Sequence, residues 1–164
     1  MSLNQNAACY FIDRHLAEGR GQKIAFREAH SGKRTLSYGE LAEKTGLIAG
    51  ALGKADIRRE ERAAMLVLDQ IEFPQIFWGA LKAGVVPIPL NTLLAADVYR
   101  AILIDSRAAI LFISAELWPT VAGILADCPD LRQVVVIGGG VAGTEAALVA
   151  NGMGADVTVI DLSL

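Results

Sequence analysis

The sequence predicts an α/β fold built on a mostly parallel, doubly wound sheet with a small hairpin near the N-terminus. Three observations carry this. Apolar runs recur at 63–68, 108–113 and 134–137, without the polar alternation of a strand that has one wet face. The segments between them, at 71–83, 95–106 and 115–126, carry apolar residues at helical spacing. Hydrophobic residues make up 53% of the 164 positions and charged residues 20%, more apolar than an average soluble domain. Strands alternating with helices place helices on both faces of a parallel sheet. The apolar excess has two readings: a sheet covered on both faces, or faces that meet a partner.

In chain order, residues 8–18 are expected to form a short helix, because Phe11, Ile12 and Leu16 fall on one side of it. His15 falls on the polar side and reads as solvated. Residues 23–27 and 34–38 read as two strands joined by a turn at Ser31-Gly32-Lys33, a hairpin. Gly32-Lys33-Arg34-Thr35 has a faint likeness to the end of a phosphate loop. It lacks the upstream glycine and the following helix and is rejected as one. Ser37 with Glu40 has capping-box spacing and starts a helix whose stripe is Leu41, Ile48, Ala49 and Leu52, with Gly53 as its end. Arg58-Arg59-Glu60-Glu61-Arg62 reads as a solvated turn.

Residues 63–68 are a buried strand, with Asp69 at its end. The helix at 71–83 has Pro74 in its first turn, where proline is tolerated, and Gly84 as its stop. Its expected core face is Phe73, Phe77, Ala80 and Leu81. Pro87 and Pro89 put the segment 85–90 at a sheet edge or a strand end. A third helix at 95–106, a buried strand at 108–113, a fourth helix at 115–126 with Pro119 in its first turn, and a strand at 131–137 follow.

Several function classes are excluded. The longest uncharged stretch, 83–96, contains two prolines and falls short of the roughly 20 residues a membrane span needs. No secretory leader is expected. Cys9 and Cys128 are far apart with no metal-ligand spacing, so reduced thiols and a cytoplasmic location are expected. A net charge of −3 gives no basic surface for nucleic acid or anionic lipid. No metal ligands are assigned.

Leu36-Ser37-Tyr38-Gly39-Glu40-Leu41 resembles an early motif of the AMP-forming acyl-CoA synthetases. The stretch Leu81-Lys82-Ala83-Gly84-Val85-Val86-Pro87-Ile88-Pro89-Leu90-Asn91-Thr92 resembles their second motif. Asp69-Gln70-Ile71-Glu72-Phe73-Pro74, followed by Phe77-Trp78-Gly79-Ala80, is most similar to the benzoate-type aryl-CoA ligases. This resemblance covers residues 8–137. It implies ATP, Mg²⁺ and CoA, and formation of an acyl-adenylate that coenzyme A then resolves. The synthetases' Ser/Thr/Gly-rich phosphate loop and their later catalytic motifs have no counterpart in the sequence, so no catalytic residue is assigned. By resemblance the chain is an acid–CoA ligase segment expected to be inactive alone.

A second motif lies at the end of the chain. Gly138-Gly139-Gly140-Val141-Ala142-Gly143 satisfies G-x-G-x-x-G between an apolar strand and a helix-forming run. The strand 157–160 then ends at Asp161, where an acid can bind a ribose hydroxyl. Gly138 allows the tight turn, Gly140 the approach of a pyrophosphate to helix N-terminal amides, and Gly143 close packing of helix on strand. This Rossmann-like βαβ unit resembles the NAD-binding unit of alanine dehydrogenase, with a flavin-binding relative as an alternative. The resemblance implies NAD, held by Gly138, Gly139, Gly140, Val141, Ala142, Gly143 and Asp161.

Taken together, the expected organisation is a ligase-like segment at 1–133 and a Rossmann-like βαβ unit at 134–164 in the same sheet. A truncated or composite chain would read this way. Three functions are expected to compete: a piece of an aromatic acid–CoA ligase, an NAD-binding module, and a non-catalytic scaffold. The expected partners are a small nucleotide, a second copy of the chain, or the remainder of a larger protein.

Overall fold

The computed structural model describes residues 6–29, 34–138 and 156–160. The expected turn at Ser31-Gly32-Lys33 lies outside them. The chain forms two compact units, Met1–Glu60 with Asp69–Val86, and Glu61–Leu68 with Pro87–Leu164.

The first unit opens with a helical stretch, a π-helical turn Cys9–Asp13 leading into α1 (Arg14–Ala17). Strands β1 (Ile24–Arg27) and β2 (Thr35–Ser37) pair antiparallel, as the hairpin expectation requires. Helix α2 (Tyr38–Lys54) begins at the expected capping box. The Glu40 N–H donates to Ser37 Oγ at 3.3 Å, and the Ser37 N–H donates to Glu40 Oε2 at 2.8 Å. Two amides that no helix can satisfy internally are thereby paired. Gly53 does not end α2. The helix runs on to Lys54, and Asp56 takes the left-handed turn at φ 52°.

Helix α3 (Glu72–Ala83) keeps Pro74 in its first turn and stops at Gly84, φ 79°. Its buried face is Glu72, Pro74, Ile76, Gly79 and Ala80. Phe73 and Phe77, expected in the core, are only half-buried. The reason is Gly79. A methyl group there would lie 2.7 Å from Cβ and Cγ2 of Ile48 and 3.3 Å from the Thr45 carbonyl oxygen. Helix α2 approaches α3 along this glycine, which turns the aromatic side of α3 away from α2. His15 corrects another expectation: its ring stacks on Tyr38 with centroids 3.9 Å apart, and its Nδ1 is buried without a hydrogen-bond partner. Burial, helped by Arg20, Arg14 and Lys23, pushes its pKa below the ordinary value.

The second unit holds most of a five-stranded sheet in the order β4-β3-β5-β6-β7. The strands are β3 (Arg62–Leu66), β4 (Val86–Pro89), β5 (Ala108–Ser114), β6 (Gln133–Ile137) and β7 (Asp156–Ile160). Pairs β3–β5, β5–β6 and β6–β7 are parallel. The proline-bearing β4 takes an edge, the first of the two places its prolines allow. Every residue of β5 is buried, which explains its unbroken apolar run. Leu66, Leu111, Ile113, Val134 and Val136 pack with Tyr99 and Leu103 of α4 (Ala96–Ser106) and with Trp118 and Val121.

The expected fourth helix is broken into a 3-10 turn Ala115–Leu117, one α turn α5 (Trp118–Val121), and a second 3-10 segment Ala122–Asp127. Pro119 has no N–H to donate and Gly123 is a poor helix former, so the segment cannot sustain a long α-helix. The charge run 58–62 is not wholly a solvated turn. Arg62 Nε donates to the Ser106 carbonyl at 2.5 Å, at the carboxyl end of α4, where a cation is favourable. Glu61 pairs with Arg132 at 2.8 Å. Tyr99 Oη donates to the Asn91 carbonyl at 2.7 Å and accepts from the Leu94 N–H at 3.1 Å, which fixes the loop after β4. No helix among the described residues is long and apolar enough to cross a membrane.

Two predictions follow from the first unit. Gly79→Ala gains about 1 kcal/mol of helix propensity. It also forces a methyl against Ile48, an overpacking cost of about 1–3 kcal/mol. Urea denaturation should show net destabilisation, relieved by adding Ile48→Ala. The Glu40 carboxyl is held below its ordinary pKa, first by the Ser37 backbone hydrogen bond and then by its side chain. Its contribution is therefore complete above the unfolded-state pKa and disappears as pH falls through the lower folded value. Melting followed from neutral to acid pH should show a component of acid destabilisation that Glu40→Gln removes.

Candidate functional site

A cavity of about 520 Å³ opens in the first unit. Its wall comes from two places: the end of β1 and the residues after it (Phe26, Arg27, Glu28, Ala29), and the loop and first half of α3 (Asp69 to Ile71, Phe73, Pro74, Phe77, Trp78). Phe73 and Phe77 lie nearly parallel, 7° between planes and 6.4 Å between centroids, as expected for side chains one helical turn apart. Trp78 meets Phe77 edge-on at 5.2 Å.

One charged network positions this wall. Glu72, on the first turn of α3, is 5% exposed and accepts hydrogen bonds from the Arg34 guanidinium. Arg34 also pairs with Glu28 at 3.0 Å. Glu28 in turn accepts the Ile71 N–H at 3.2 Å, at the start of α3, where Ile71 as the N-cap residue has no capping side chain of its own. The Glu72 hydrogen bond raises the pKa of Arg34 further, so the cation is permanent. The charge of Arg34, a residue of the rejected phosphate-loop likeness, serves the hairpin–helix junction.

The sequence places Glu72 in a family-like motif and Arg34 in a rejected phosphate loop, but assigns neither a role and gives Glu28 none. The available signal was Glu72 itself, an acid between Ile71 and Phe73 at a helix start, with an arginine in the preceding hairpin. Phe73 and Phe77 have the spacing of a core face yet line the cavity.

Of the residues expected to hold NAD, the structure describes Gly138 alone. It ends β6 with φ 105°, a left-handed turn that glycine accepts at no steric cost. A Cβ there would meet Ala115 Cβ at an ordinary 3.5 Å, so the requirement is one of backbone angle and not of space. Gly139, Gly140, Val141, Ala142, Gly143 and Asp161 lie outside the described residues. The expected strand after the glycines is present as β7, parallel to β6. At the same carboxyl end of the strands Ser114, 1% exposed, accepts the Leu68 N–H at 3.0 Å and ties the residues after β3 to β5.

Other chemistry is sparse. Among the described residues no group of three His, Cys, Asp or Glu side chains is placed to hold a metal. Burial pushes the thiols of Cys9 and Cys128 up, Cys9 further through its Asp13 contact, which disfavours the nucleophilic thiolate of both.

Residues 13–158 match the AMP-binding enzyme family. The 4-hydroxybenzoate–CoA/benzoate–CoA ligase of Rhodopseudomonas palustris is 44% identical over 133 residues, 81% of this chain and 24% of that protein. The benzoate–CoA ligase of Thauera aromatica is 40% identical over 148 residues, 90% of this chain and 28% of that protein. The crystal structure of a benzoate CoA ligase from Burkholderia xenovorans LB400 superposes with a TM-score of 0.71 at 33% identity, over 80% of this chain and 25% of that one. The chain thus spans about a quarter of the length of the curated relatives it matches.

The family match does not stop at residue 133. It crosses the glycine-rich turn and reaches β7, so the turn needs no dehydrogenase parent, and NAD at Gly138–Gly143 and Asp161 receives no support. With a parallel sheet, an antiparallel hairpin and a match over most of its length, the chain belongs to the AMP-binding enzyme family.

Proposed function

We propose that this chain is the early part of an AMP-forming aromatic acid–CoA ligase of the benzoate type. The observation that carries this is the 44% identity over 133 residues to a ligase named for benzoate and 4-hydroxybenzoate. In the complete reaction ATP activates the aromatic carboxylate as an acyl-adenylate with loss of pyrophosphate, and the CoA thiol then displaces AMP. Mg²⁺ and cationic side chains balance charge on the phosphates.

The residues described here contribute support and not chemistry. They build a rigid parallel sheet, a capped helix pair and an aromatic wall. They present no activated nucleophile, no three-residue metal cluster and no lysine-bearing phosphate loop. No observation favours the NAD-binding reading over this one.

The chain purified by itself should show no benzoate-dependent ATP–pyrophosphate exchange. Grafted into the Thauera aromatica relative in place of the matched 28%, it should support benzoyl-CoA formation from benzoate, ATP and CoA. Exchange by the isolated chain would overturn the assignment of a supporting role. A folded graft that releases no AMP with any benzoate would overturn the aryl-ligase reading.

A further inference from the structure

Helix α1 contains no buried residue, and its Leu16 is 43% exposed. The π-helical turn before it is held more firmly. Ala8 and Ile12 are buried, Asn6 Nδ2 donates to the Leu81 carbonyl at 2.7 Å, and Lys82 of α3 pairs with Asp13 at 2.8 Å. His15 reaches from α1 to the start of α2. Its ring lies over Tyr38, the first residue of that helix, with centroids 3.9 Å apart and planes tilted by 31°. Its carbonyl accepts the Arg20 N–H at 2.7 Å. The turn beyond Arg20 caps the same helix start: the Gly21 carbonyl accepts the Gly39 N–H at 2.8 Å, and the Lys23 carbonyl the Tyr38 N–H at 3.0 Å. Both are amides that α2 cannot satisfy internally.

This junction has no place for a second proton on His15. The ring is half-buried, and its Nδ1 is buried without a hydrogen-bond partner. Only the neutral ring, with its proton on Nε2, avoids a stranded donor there. Arg20, Arg14 and Lys23 add positive charge around it. The carboxylates nearby are committed elsewhere: Glu18 to Arg20, Asp13 to Lys82, and Glu40 of α2 to the backbone and hydroxyl of Ser37. The positive end of the α2 dipole also disfavours a cation. The face of the Tyr38 ring would attract one weakly, but burial and the three cations together hold the pKa of His15 below its ordinary value.

We propose that His15 is a pH-operated latch: neutral, it holds α1 and the following turn on the start of α2; protonated, it leaves Tyr38 and lets both swing out on the π-helical turn. The latch lies within the first unit and is independent of the ligase reading. Docking is complete above the ordinary histidine pKa, and it is lost as pH falls from there through the lower docked value. The anchored residues Ala8, Ile12 and Asp13 stay in place, because none of their contacts depends on the ring.

Hydrogen exchange of the 164-residue chain, followed by NMR from about pH 8 to about pH 5 and normalised to the urea-unfolded chain at each pH, tests this. Protection at the Glu18, Gly19, Arg20, Tyr38 and Gly39 amides should be present at the alkaline end and lost at the acid end, while the Tyr10 amide, bonded to Asn6, keeps its own. His15→Phe keeps a ring on Tyr38 but takes no proton, so its protection should not change over the range. Carboxylates ordinarily titrate below it. Protection that survives to the acid end in the unmutated chain would overturn the proposal, as would a loss that His15→Phe shows equally. Should His15→Phe fail to fold, the ring protons of His15 in the unmutated chain decide. The latch requires a midpoint lower than in the urea-unfolded chain and coincident with the loss of protection. A midpoint equal to the unfolded one, or a titration that leaves the amides unchanged, would contradict it.

Discussion

Glu72 sits 5% exposed on the first turn of α3, and an ionised carboxylate at such a depth needs a countercharge and hydrogen bonds. Arg34 supplies them from the start of β2, and it carries Glu28 with it. Glu28 then caps the amide at the start of α3. Three side chains thus join the hairpin to the helix and set the wall of the aromatic cavity. The positive end of the helix dipole adds to the same preference for negative charge. Without Arg34, Glu72 would be a buried anion without its countercharge.

The second constraint is steric. Gly79 lets α2 and α3 approach until Ile48 fills the space where a side chain would stand. That contact fixes which side of α3 is buried. The aromatic side, Phe73 and Phe77, is left to line the cavity and continue into Trp78 and Phe11. One glycine therefore determines the character of a surface on the other side of its helix.

Much of the backbone was legible in the sequence, because its signals are local. The Ser37–Glu40 capping box, Pro74 in a first turn, Gly84 at a helix stop and the unbroken apolar run of β5 each act within a few residues. Misreadings occurred where distant residues decide. Phe73 and Phe77 have helical spacing that suits a core, and only the Ile48–Gly79 contact shows that they face elsewhere. Arg62 reads as part of a solvated charge run until the end of α4 is placed beside it. The Arg34–Glu72 pair joins residues 38 apart, and no local pattern announces it. The glycine-rich turn shows the opposite hazard. Its motif is complete in sequence, yet the family match running through it to residue 158 is that of the AMP-binding enzymes.

A double-mutant cycle on Arg34 and Glu72 addresses the central claim directly. Arg34→Met, Glu72→Gln and the double variant would be compared by urea denaturation. Arg34 is 45% exposed on its side chain, which screens part of the attraction. The coupling should still be about 1–2 kcal/mol, with Arg34→Met costing most of its effect only while Glu72 is present. Single effects that add to within about 0.3 kcal/mol would show that the network does not hold the hairpin to α3.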